Sequence, residues 1–394
     1  MSKDIISTRI ARVSTVPLFI FTLLRTQVEA IRDSGAAVTI ITSPDAGLKG
    51  FKPIERCEFK TLAIAREIKP FADLHSLLKL FKLFRKQRFT IVHSNTPKAG
   101  LLCAIAGKMA GVPIRLHTFT GQPWATIGGL KRSMLKFFDR LIATLNTYCY
   151  ADSESQKAFL IENKIIKANK ISVLGSGSLS GVDITRFDEG RFSPQQKQEI
   201  RVSLGIKEDE MVLLFLGRIT KEKGVFELID AFSRLLVSHS KITLLMAGPF
   251  EQGIEAEIRA YGEKQCGNKI IFSGFCAEPE QLIAISDVLC LPSYREGFGT
   301  VVIEAAAMAV PAVGSRIYGL QDAIVHEETG LLVEPKNVED LAVGLNRLIS
   351  DDSFRLRLGR NAKLRALTEF DSQQFGLLMV QEYEKLLSKN SFRN

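Results

Sequence analysis

The sequence predicts an α/β protein of two domains, each built around a parallel β-sheet. Short segments rich in Val and Ile alternate with longer segments of helical periodicity, which is typical of parallel strands joined by crossover helices. The chain has 394 residues, which is longer than a chain that folds around a single hydrophobic core normally is. The strand pattern also lapses once, near residue 190, and then resumes. Together these observations predict a domain boundary near that position.

Each predicted strand is an apolar run. In the first half the runs are AVTIIT, TIVHS, IRLHT, YCYADS and ISVLG. A polar stretch, DEGRFSPQQKQEIRVSLGIKEDE, separates them from MVLLFLG, ITLLMAG, IIFSG, DVLCLPS and PAVGS. We predict a first domain over residues 1–188 and a second over residues 189–372. A C-terminal helix over residues 373–394 is expected to pack back towards the first domain.

The composition is that of an ordinary globular protein, with 46% hydrophobic and 24% charged residues. The six cysteines lack the spacing of a zinc or redox pair, which favours a reduced, cytoplasmic setting. Residues 1–12 show no secretory signal pattern. The apolar run from Val16 to Leu24 is about half of the roughly 20 residues that a membrane-spanning helix needs. We therefore expect a protein that is not integral to a membrane.

The charge is unevenly distributed along the chain. The net formal charge is +9, and it divides into +13 for residues 1–190 and −4 for residues 191–394. A basic half favours nucleic acid, anionic lipid or phosphorylated ligands as partners. Charge alone does not choose among the three.

The first candidate site follows a predicted buried strand, in the segment GRITKEKG. Arg218 and Lys223 stand five residues apart there, and Gly217 and Gly224 loosen the turn around them. Two cations beside a strand end can neutralise a diphosphate, because arginine offers a planar fork to phosphate oxygens and lysine a point charge. Open parallel sheets bind ligands beyond the carboxyl ends of their strands. The alternative is a solvated basic loop ahead of an amphipathic helix.

The second candidate site is the segment YREGFGTVVIEA. Gly297 and Gly299 allow close approach of the backbone to a ligand, and Thr300 begins a predicted helix whose free N–H groups can face a phosphate. Glu296 precedes this turn and Glu304 follows eight positions later. Carboxylates near a phosphate make sense if they accept ligand hydroxyls. Both could instead be ordinary surface residues, although Glu304 lies in an apolar run where a carboxylate normally needs a partner.

Together these motifs resemble a family 4 glycosyltransferase of the GT-B fold, and in particular the enzymes of bacterial lipopolysaccharide, O-antigen and capsule synthesis. The resemblance covers nearly the whole chain. It implies two facing Rossmann-like domains with the donor in the cleft between them. It also implies hexosyl or N-acetylhexosaminyl transfer from a nucleotide-diphosphate donor, with retention of anomeric configuration and without a bound metal or other cofactor.

The resemblance also assigns roles. Arg218 and Lys223 would hold the diphosphate, Glu304 the ribose hydroxyls, and Glu296 the transferred sugar; backbone around residues 272–275 would receive the base. The donor-binding set implied in this way is Gly217, Arg218, Lys223, Phe272, Gly274, Phe275, Glu296, Gly297, Phe298, Gly299, Thr300 and Glu304.

In the first half, IRLHTFTG resembles the family's strand that ends in a histidine touching the donor sugar, which nominates His117 alongside Arg218, Lys223 and Glu296 as catalytic. A histidine beyond a strand is otherwise more often structural. The segment SGVDITRF resembles the family's lead into the linker.

Four residues are nominated for the acceptor. Many relatives carry a glycine pair in the first strand-to-helix loop, where this chain reads RVSTVPLFIF. We expect this loop, with Thr15 and Pro17, to form part of the acceptor or sugar pocket. HSNTPKAG resembles a pattern of surface-polysaccharide enzymes, in which Asn95 and Lys98 would meet an acceptor phosphate at a helix N-terminus. Solvated surface is the alternative for both.

The resemblance implies that the acceptor hydroxyl attacks the face from which the diphosphate leaves. The expected donor is a UDP-sugar, with GDP second, and the expected acceptor is a polyprenyl-diphosphate-linked saccharide. A GT-B epimerase or phosphorylase and a non-enzymatic peripheral membrane protein remain alternatives. A nicotinamide-dependent dehydrogenase is disfavoured, because GSGSLSG lacks the dinucleotide-binding glycine spacing.

A basic helix suggests membrane contact. Wound as a helix, LLKLFKLFRKQRF places Leu77, Leu80, Phe81 and Phe84 on one face, with basic residues Lys79, Lys82 and Lys86 opposite, an interfacial pattern. Packing of that face on the sheet is the alternative. We predict reversible docking on the anionic inner leaflet and no binding of nucleic acid.

Overall fold

The computed structural model describes residues 5–44, 52–65 and 69–391. They form two compact units. Unit 1 comprises the described residues up to Gly181 and those from Ser372 onward, and unit 2 comprises Val182–Asp371. Residues 182–188, predicted to end the first domain, thus belong to unit 2. The N–H of Val182 donates to the carbonyl of Phe370 at 2.7 Å.

The described part of unit 1 contains a seven-stranded parallel sheet. Its strands are β1 Arg9–Ser14, β2 Ala37–Thr42, β3 Glu58–Thr61, β4 Ile91–Ser94, β5 Ile114–Phe119, β6 Tyr148–Ala151 and β7 Ile171–Val173. They lie in the order β3-β2-β1-β4-β5-β6-β7. The helices between them are α1 Arg25–Asp33, α2 Pro70–Gln87, α3 Pro97–Met109, α4 Gly129–Leu145 and α5 Glu154–Glu162.

Unit 2 contains a six-stranded parallel sheet. Its strands are β8 Met211–Leu216, β9 Ile242–Ala247, β10 Ile270–Gly274, β11 Val288–Leu291, β12 Ala312–Ser315 and β13 Gly330–Val333, in the order β10-β9-β8-β11-β12-β13. Its helices are α6 Pro194–Ser203, α7 Val225–Leu235, α8 Glu255–Cys266, α9 Pro279–Ala284, α10 Thr300–Ala307, α11 Leu320–Ala323, α12 Val338–Ser350 and α13 Asp352–Glu369.

Helix α14, Ser372–Ser391, returns the end of the chain to unit 1, where it packs against α1. The side chains of Phe375, Met379 and Tyr383 are buried. The Tyr383 hydroxyl accepts from the guanidinium of Arg12 at 2.8 Å and lies 2.7 Å from Nδ1 of His93. A hydrophobic face and a buried polar cluster therefore hold α14 on unit 1.

Each of the ten apolar runs that predicts a strand does contain one, so the predicted alternation of strands and helices is confirmed. The quoted runs do not include β1 or β13, and no sequence pattern predicts β3. It reads EFKT, is largely exposed and lies at an edge of its sheet. An edge strand has one pairing neighbour and little core contact, so it lacks the apolar run on which recognition depends.

The apolar face predicted for α2 packs inside the protein. Leu80 and Phe84 are buried, and Leu77 and Phe81 pack against the same hydrophobic cluster, which also includes residues of α3. This face is therefore not available to a membrane, because burial against the protein core already removes it from water. The alternative, a domain helix with its apolar face on the core, is what the structure shows.

Parallel strands end at a common edge of their sheet. In unit 2 the loops that follow β8 and β11, neighbouring strands, both emerge at the carboxyl edge. This arrangement brings together the two segments in which the sequence places charged ligand-binding residues. Among the described residues, no helix combines the length and the apolar character needed to cross a bilayer.

Candidate donor-binding site

The loop after β8 is shaped by Gly224. Its φ of +67° is a left-handed conformation, and it caps the N-terminus of α7. A Cβ on Gly224 would lie 2.1 Å from the carbonyl oxygen of Pro292, so a side chain does not fit there. The N–H of Tyr294 also donates to the carbonyl of Glu222 at 2.9 Å. Contact at glycine and a backbone hydrogen bond thus join the loop after β8 to the loop after β11.

Across this junction Lys223 and Glu296 form an ion pair, in which the ammonium donates to Oε1 of the carboxylate. Both side chains are largely buried, with 24% and 14% of their surface exposed. Seventy-three residues separate them in sequence. The family resemblance assigns them to different parts of a donor, and the structure shows them paired with each other.

A second ion pair lies beside the first. Arg295 donates through Nη2 to the Glu222 carboxylate at 2.7 Å. Beneath them, the Tyr294 hydroxyl donates to Oε1 of Glu227, whose Oε2 is buried without a partner among the described residues. Burial, followed by the nearby Glu227 carboxylate, raises the pKa of Tyr294, which therefore keeps its proton. These side chains fix the two loops and leave Lys223 and Glu296 at their surface.

Arg218 differs from Lys223. Its side chain is exposed, and within the described parts of the chain it makes no hydrogen bond or ion pair. An exposed guanidinium in the same loop as a largely buried ammonium is suited to a polyanion, since arginine offers a planar fork to phosphate oxygens. The neighbouring Lys221, by contrast, pairs with Glu257 at 2.9 Å.

The turn from Glu296 to α10 is also shaped by glycine. Gly299 has a φ of +89° and caps α10, and its Cβ would approach Leu320 to 2.6 Å. Gly319 lies against the same turn, where a Cβ would be 2.7 Å from the carbonyl oxygen of Gly297. Phe298 is buried against Phe370, with ring centroids 5.3 Å apart. The turn is therefore rigid, and it presents the N-terminus of α10, beginning at Thr300, with N–H groups suited to a phosphate.

Glu304 lies on α10 and is half-buried. Burial raises the pKa of its carboxyl to about 7; the Arg186 guanidinium opposes the shift and the Glu280 carboxylate adds to it. Arg186 is itself held by Glu280 through two hydrogen bonds, of 3.0 and 2.8 Å. The Arg186 charge is therefore shared, and the Glu304 carboxyl has no hydrogen bond within the described residues. Such a carboxyl is a candidate acceptor for ligand hydroxyls.

At the end of β10 the three predicted residues differ in what they can offer. The Phe272 ring packs against Phe250 and under the guanidinium of Arg259, so its side chain is occupied by packing. Gly274 has a φ of +72°, and its carbonyl accepts from the N–H of Gly248 at 2.8 Å. Phe275 is 65% exposed. An aromatic ring in water at a strand end is available to stack on a planar ligand.

In unit 1, His117 is buried on β5. Its Nδ1 lies 3.0 Å from the Ser94 hydroxyl, and a Cβ on Gly100 would lie 2.4 Å from its ring. Burial lowers the pKa of His117 to about 3, so the imidazole is neutral at physiological pH. It can take part in a hydrogen bond but cannot supply a positive charge.

The four acceptor nominees of unit 1 have different surroundings. Thr15 is buried and bonds through its N–H and hydroxyl to the Thr96 hydroxyl at 3.1 and 3.0 Å. Asn95 is buried and accepts a long, 3.4 Å hydrogen bond from Arg12. The Lys98 ammonium pairs with Asp73 at 2.5 Å, so its charge is already neutralised. The fourth, Pro17, is buried ahead of α1.

Sequence reasoning missed the residues that support the site. The motifs do not point to Glu222 and Arg295, although both flank predicted residues. Arg186 lies in SGVDITRF, whose resemblance indicates only the lead into the linker, and Gly319 lies outside every quoted motif. Their partners are 73 or more residues away for Glu222, Arg295 and Arg186. The spacing of residues within one motif does not predict contacts between residues so far apart in sequence. The described residues contain no group of three or more His, Cys, Asp and Glu side chains able to hold a metal ion.

Comparison with known proteins matches both halves of the chain. The family described as glycosyl transferases group 1 matches residues 196–365, and the glycosyl transferase 4-like domain matches residues 22–177. The chain is 32% identical to the capsular polysaccharide biosynthesis glycosyltransferase CapM of Staphylococcus aureus, over 89% of this chain and 90% of the relative.

Two further similarities bear on function and fold. The chain is 24% identical to the UDP-Gal:alpha-D-GlcNAc-diphosphoundecaprenol alpha-1,3-galactosyltransferase of Escherichia coli, over 78% of each chain. Its structure resembles Anabaena Alr3699/HepE in complex with UDP and glucose, with a TM-score of 0.81 at 20% identity, over 96% of this chain and 100% of the other. The chain belongs to the family 4 glycosyltransferases and has their GT-B fold.

Proposed function

We propose that this glycosyltransferase moves a sugar from a UDP-sugar to a lipid-linked saccharide in bacterial surface polysaccharide synthesis, with retention of configuration and without a metal ion. The observation that carries the proposal is the Lys223–Glu296 pair, which joins the loop of the exposed Arg218 to the turn that leads into α10. The names of the Escherichia coli and Anabaena relatives support the donor nucleotide, and the former supports a diphospholipid acceptor. A hexosyl or N-acetylhexosaminyl group fits this relationship.

Donor binding is proposed to exchange the partner of Lys223. The incoming diphosphate carries more negative charge than the Glu296 carboxylate and competes for the ammonium. Glu296, once released, can accept hydroxyls of the transferred sugar. Donor binding thus frees the Lys223 ammonium and the Glu296 carboxylate in one step. Until that step, each of the two charges has the other as its partner.

The cations are proposed to act mainly in the transition state. As the bond between the anomeric carbon and the phosphate oxygen breaks, negative charge grows on the diphosphate. Once the donor is bound, Arg218, Lys223 and the N–H groups at the start of α10 would stabilise that charge. They would supply the charge that a divalent cation supplies to other nucleotide-sugar enzymes, so no metal ligand is needed.

Transfer is proposed to proceed on one face of the sugar. The acceptor hydroxyl oxygen forms a bond to the anomeric carbon on the side from which the diphosphate departs, and its proton passes to the departing phosphate oxygen. The products are the glycoside, with unchanged configuration, and the nucleoside diphosphate. No side chain is assigned as a nucleophile. Glu304 is proposed to hold the ribose hydroxyls, and Phe275 and the backbone of Gly274 the base.

The roles proposed for unit 1 are narrower. His117 is neutral, so its proposed contact with the donor sugar is a hydrogen bond. An acceptor phosphate would have to displace Asp73 from Lys98. We also propose that the protein docks peripherally on the cytoplasmic face of the inner membrane, and the net charge of +13 over residues 1–190 supports this location.

The proposal is tested by following label from UDP-sugars and GDP-sugars into an undecaprenyl-diphosphate-linked saccharide. We expect transfer from a UDP-sugar in excess chelator, and a product whose anomeric proton coupling shows the donor's configuration. Activity that chelator abolishes and magnesium or manganese restores would reject metal independence. An inverted product would reject retention, and label found only in an epimerised donor would identify an epimerase.

A further inference from the structure

The outward face of α2 carries a row of apolar side chains that none of the described residues of unit 1 covers. Phe71 is 93% exposed, and Leu74 and Leu78 are about half exposed. Their spacing of three and four residues places them on one side of the helix. This side is distinct from the one that contains Leu80 and Phe84, which are buried. Lys82, also exposed, continues the same face towards the end of the helix.

Helix α4 repeats this arrangement. Leu130 is 88% exposed, and Phe137 and Met134 are also exposed. Their spacing again places them on one side of the helix. Exposed basic side chains lie among them, at Lys131, Arg132 and Arg140.

The two helices share a layer and a direction. Both contact α3, and each leads from one parallel strand to the next, so each runs from the carboxyl edge of the sheet towards its other edge. The apolar triplets occupy the N-terminal halves of α2 and α4. They therefore lie towards the same edge of the sheet as Asn95, which follows β4.

Negative charge is nearly absent from these faces. Each helix contains one acidic residue. Asp73 of α2 pairs with Lys98, and Asp139 of α4 is buried and accepts from the indole N–H of Trp124 at 2.7 Å. Exposed cations, in contrast, occur on both helices: Lys79, Lys82, Arg85 and Lys86 on α2, and Lys131, Arg132 and Arg140 on α4.

We propose that the exposed faces of α2 and α4 together form the surface by which unit 1 docks on an anionic lipid bilayer. We call these residues the α2/α4 surface: Phe71, Leu74, Leu78, Leu130, Met134, Phe137 and the seven cations just named. Apolar side chains that enter the interface, ringed by cations that meet acidic headgroups, are the chemistry of an interfacial helix. The inference rests on the proposed lipid-linked acceptor, which the docked protein would meet at the carboxyl edge of unit 1.

Vesicle sedimentation of the full chain tests the surface. Vesicles of phosphatidylcholine with phosphatidylglycerol should bind the protein at low salt, and vesicles of phosphatidylcholine alone should bind it much less. The apolar pair Phe71→Ser/Leu130→Ser and the charge pair Lys82→Glu/Arg132→Glu should each lower the partition coefficient about tenfold or more, since single apolar side chains and single cations each contribute on the order of 1 kcal/mol.

Matched controls come from unit 2. Leu356 and Leu364 are exposed leucines on α13, and Lys264 and Arg360 are exposed cations. Leu356→Ser/Leu364→Ser and Lys264→Glu/Arg360→Glu remove the same chemistry elsewhere and should leave vesicle binding unchanged. Equal losses from the controls and from the α2/α4 pairs would overturn the proposal, as would equal binding to neutral and acidic vesicles. So would a change of oligomeric state in Phe71→Ser/Leu130→Ser with vesicle binding intact, because it would identify a protein partner.

A transfer assay separates this inference from the proposed function. With a short-chain acceptor soluble in water, the α2/α4 variants should keep parental turnover; with an acceptor embedded in acidic vesicles they should lose it. If the parent transfers sugar to neither acceptor but binds vesicles through the α2/α4 surface, the proposed function fails and the docking surface stands. If transfer occurs and vesicle binding ignores the surface, the docking inference alone fails.

Discussion

The two units carry their functional residues in different kinds of structure, and this determines what a sequence can reveal. In unit 2 most candidate residues lie in or next to loops at strand ends, and Glu304 lies on the helix that follows one of these loops. Short motifs such as GRITKEKG identify them directly. In unit 1 the α2/α4 surface lies on helices, where apolar residues can face either the core or the solvent. Which face of α2 is free is decided by packing against α3 and the sheet. The sequence of α2 alone therefore does not predict which of its faces is exposed.

The largest effect is expected from substitutions in the loop after β8 of unit 2. Arg218→Ala and Lys223→Ala should each lower turnover at saturating donor by about 100-fold to 1,000-fold, the usual effect of removing one preorganised transition-state contact. Lys221→Ala is the matched control, because Lys221 lies in the same loop but pairs with Glu257 of α8 and not with a residue of the loop after β11. Donor-saturation kinetics measure the turnover of each variant. Near-parental turnover in Lys223→Ala would show that the loop is solvated surface and does not bind the diphosphate.

The junction between the two loops of unit 2 is tested by Gly224→Ala. A Cβ there meets the carbonyl of Pro292 at 2.1 Å in addition to the strain of a positive φ, so the free energy of unfolding should fall by more than the 1–3 kcal/mol or so that is typical of backbone strain. Gly205→Ala is the control, since Gly205 has a φ of +73° and open space around it. Urea unfolding measures both, and equal losses would show that the close contact is unimportant.

Glu304 is expected to give an effect that depends on pH. With a carboxyl pKa of about 7, the parent should bind its donor better at pH 8 than at pH 6, because only the carboxylate accepts two ribose hydroxyls. Glu304→Gln should raise the apparent donor KM at pH 8 with little change in kcat and should flatten the pH profile of KM. A steep profile that survives in Glu304→Gln would assign the titration to another group.

The same carboxyl affects stability with a defined sign. Its pKa is higher in the folded protein than in the unfolded chain, where it takes the ordinary value of about 4.3. The folded state therefore binds more protons between these values, and this contribution to stability falls as pH rises towards 7. Glu304→Gln should melt above the parent at pH 8 and closer to it at pH 5. The opposite order in thermal melts would contradict a raised pKa.

The smallest expected effect concerns Lys98 in unit 1. Only 12% and 18% of the side-chain surfaces of Lys98 and Asp73 are exposed. A double-mutant cycle of Lys98→Ala and Asp73→Ala should give a coupling on the order of 1 kcal/mol in the free energy of unfolding, as is usual for residues in direct contact. If Lys98 also binds an acceptor phosphate, Lys98→Ala should raise the acceptor KM and Asp73→Ala should not. Equal acceptor KM values in the parent and Lys98→Ala would leave the lysine with only its pairing role.

The fold follows from the sequence because burial leaves a strong local signal. Runs such as MVLLFLG and ITLLMAG are buried on both faces of a parallel sheet and need no polar alternation. The charged candidate residues of unit 2 also leave a local signal in the sequence. Arg218, Lys223, Glu296 and Glu304 each stand close in sequence to a strand or a glycine turn. The pairing of Lys223 with Glu296 is not local, because it depends on Gly224 letting two distant loops meet.

The central claim is that Lys223, released from Glu296, binds the donor diphosphate, and calorimetric titration with UDP tests it without any need to know the acceptor. We predict that UDP binds the parent in the presence of chelator. Lys223→Ala should weaken binding by about tenfold or more, in line with the 1.5–3 kcal/mol or so of a hydrogen bond to a charged group, and Lys221→Ala should bind like the parent. Equal UDP affinity in Lys223→Ala and Lys221→Ala would contradict the account.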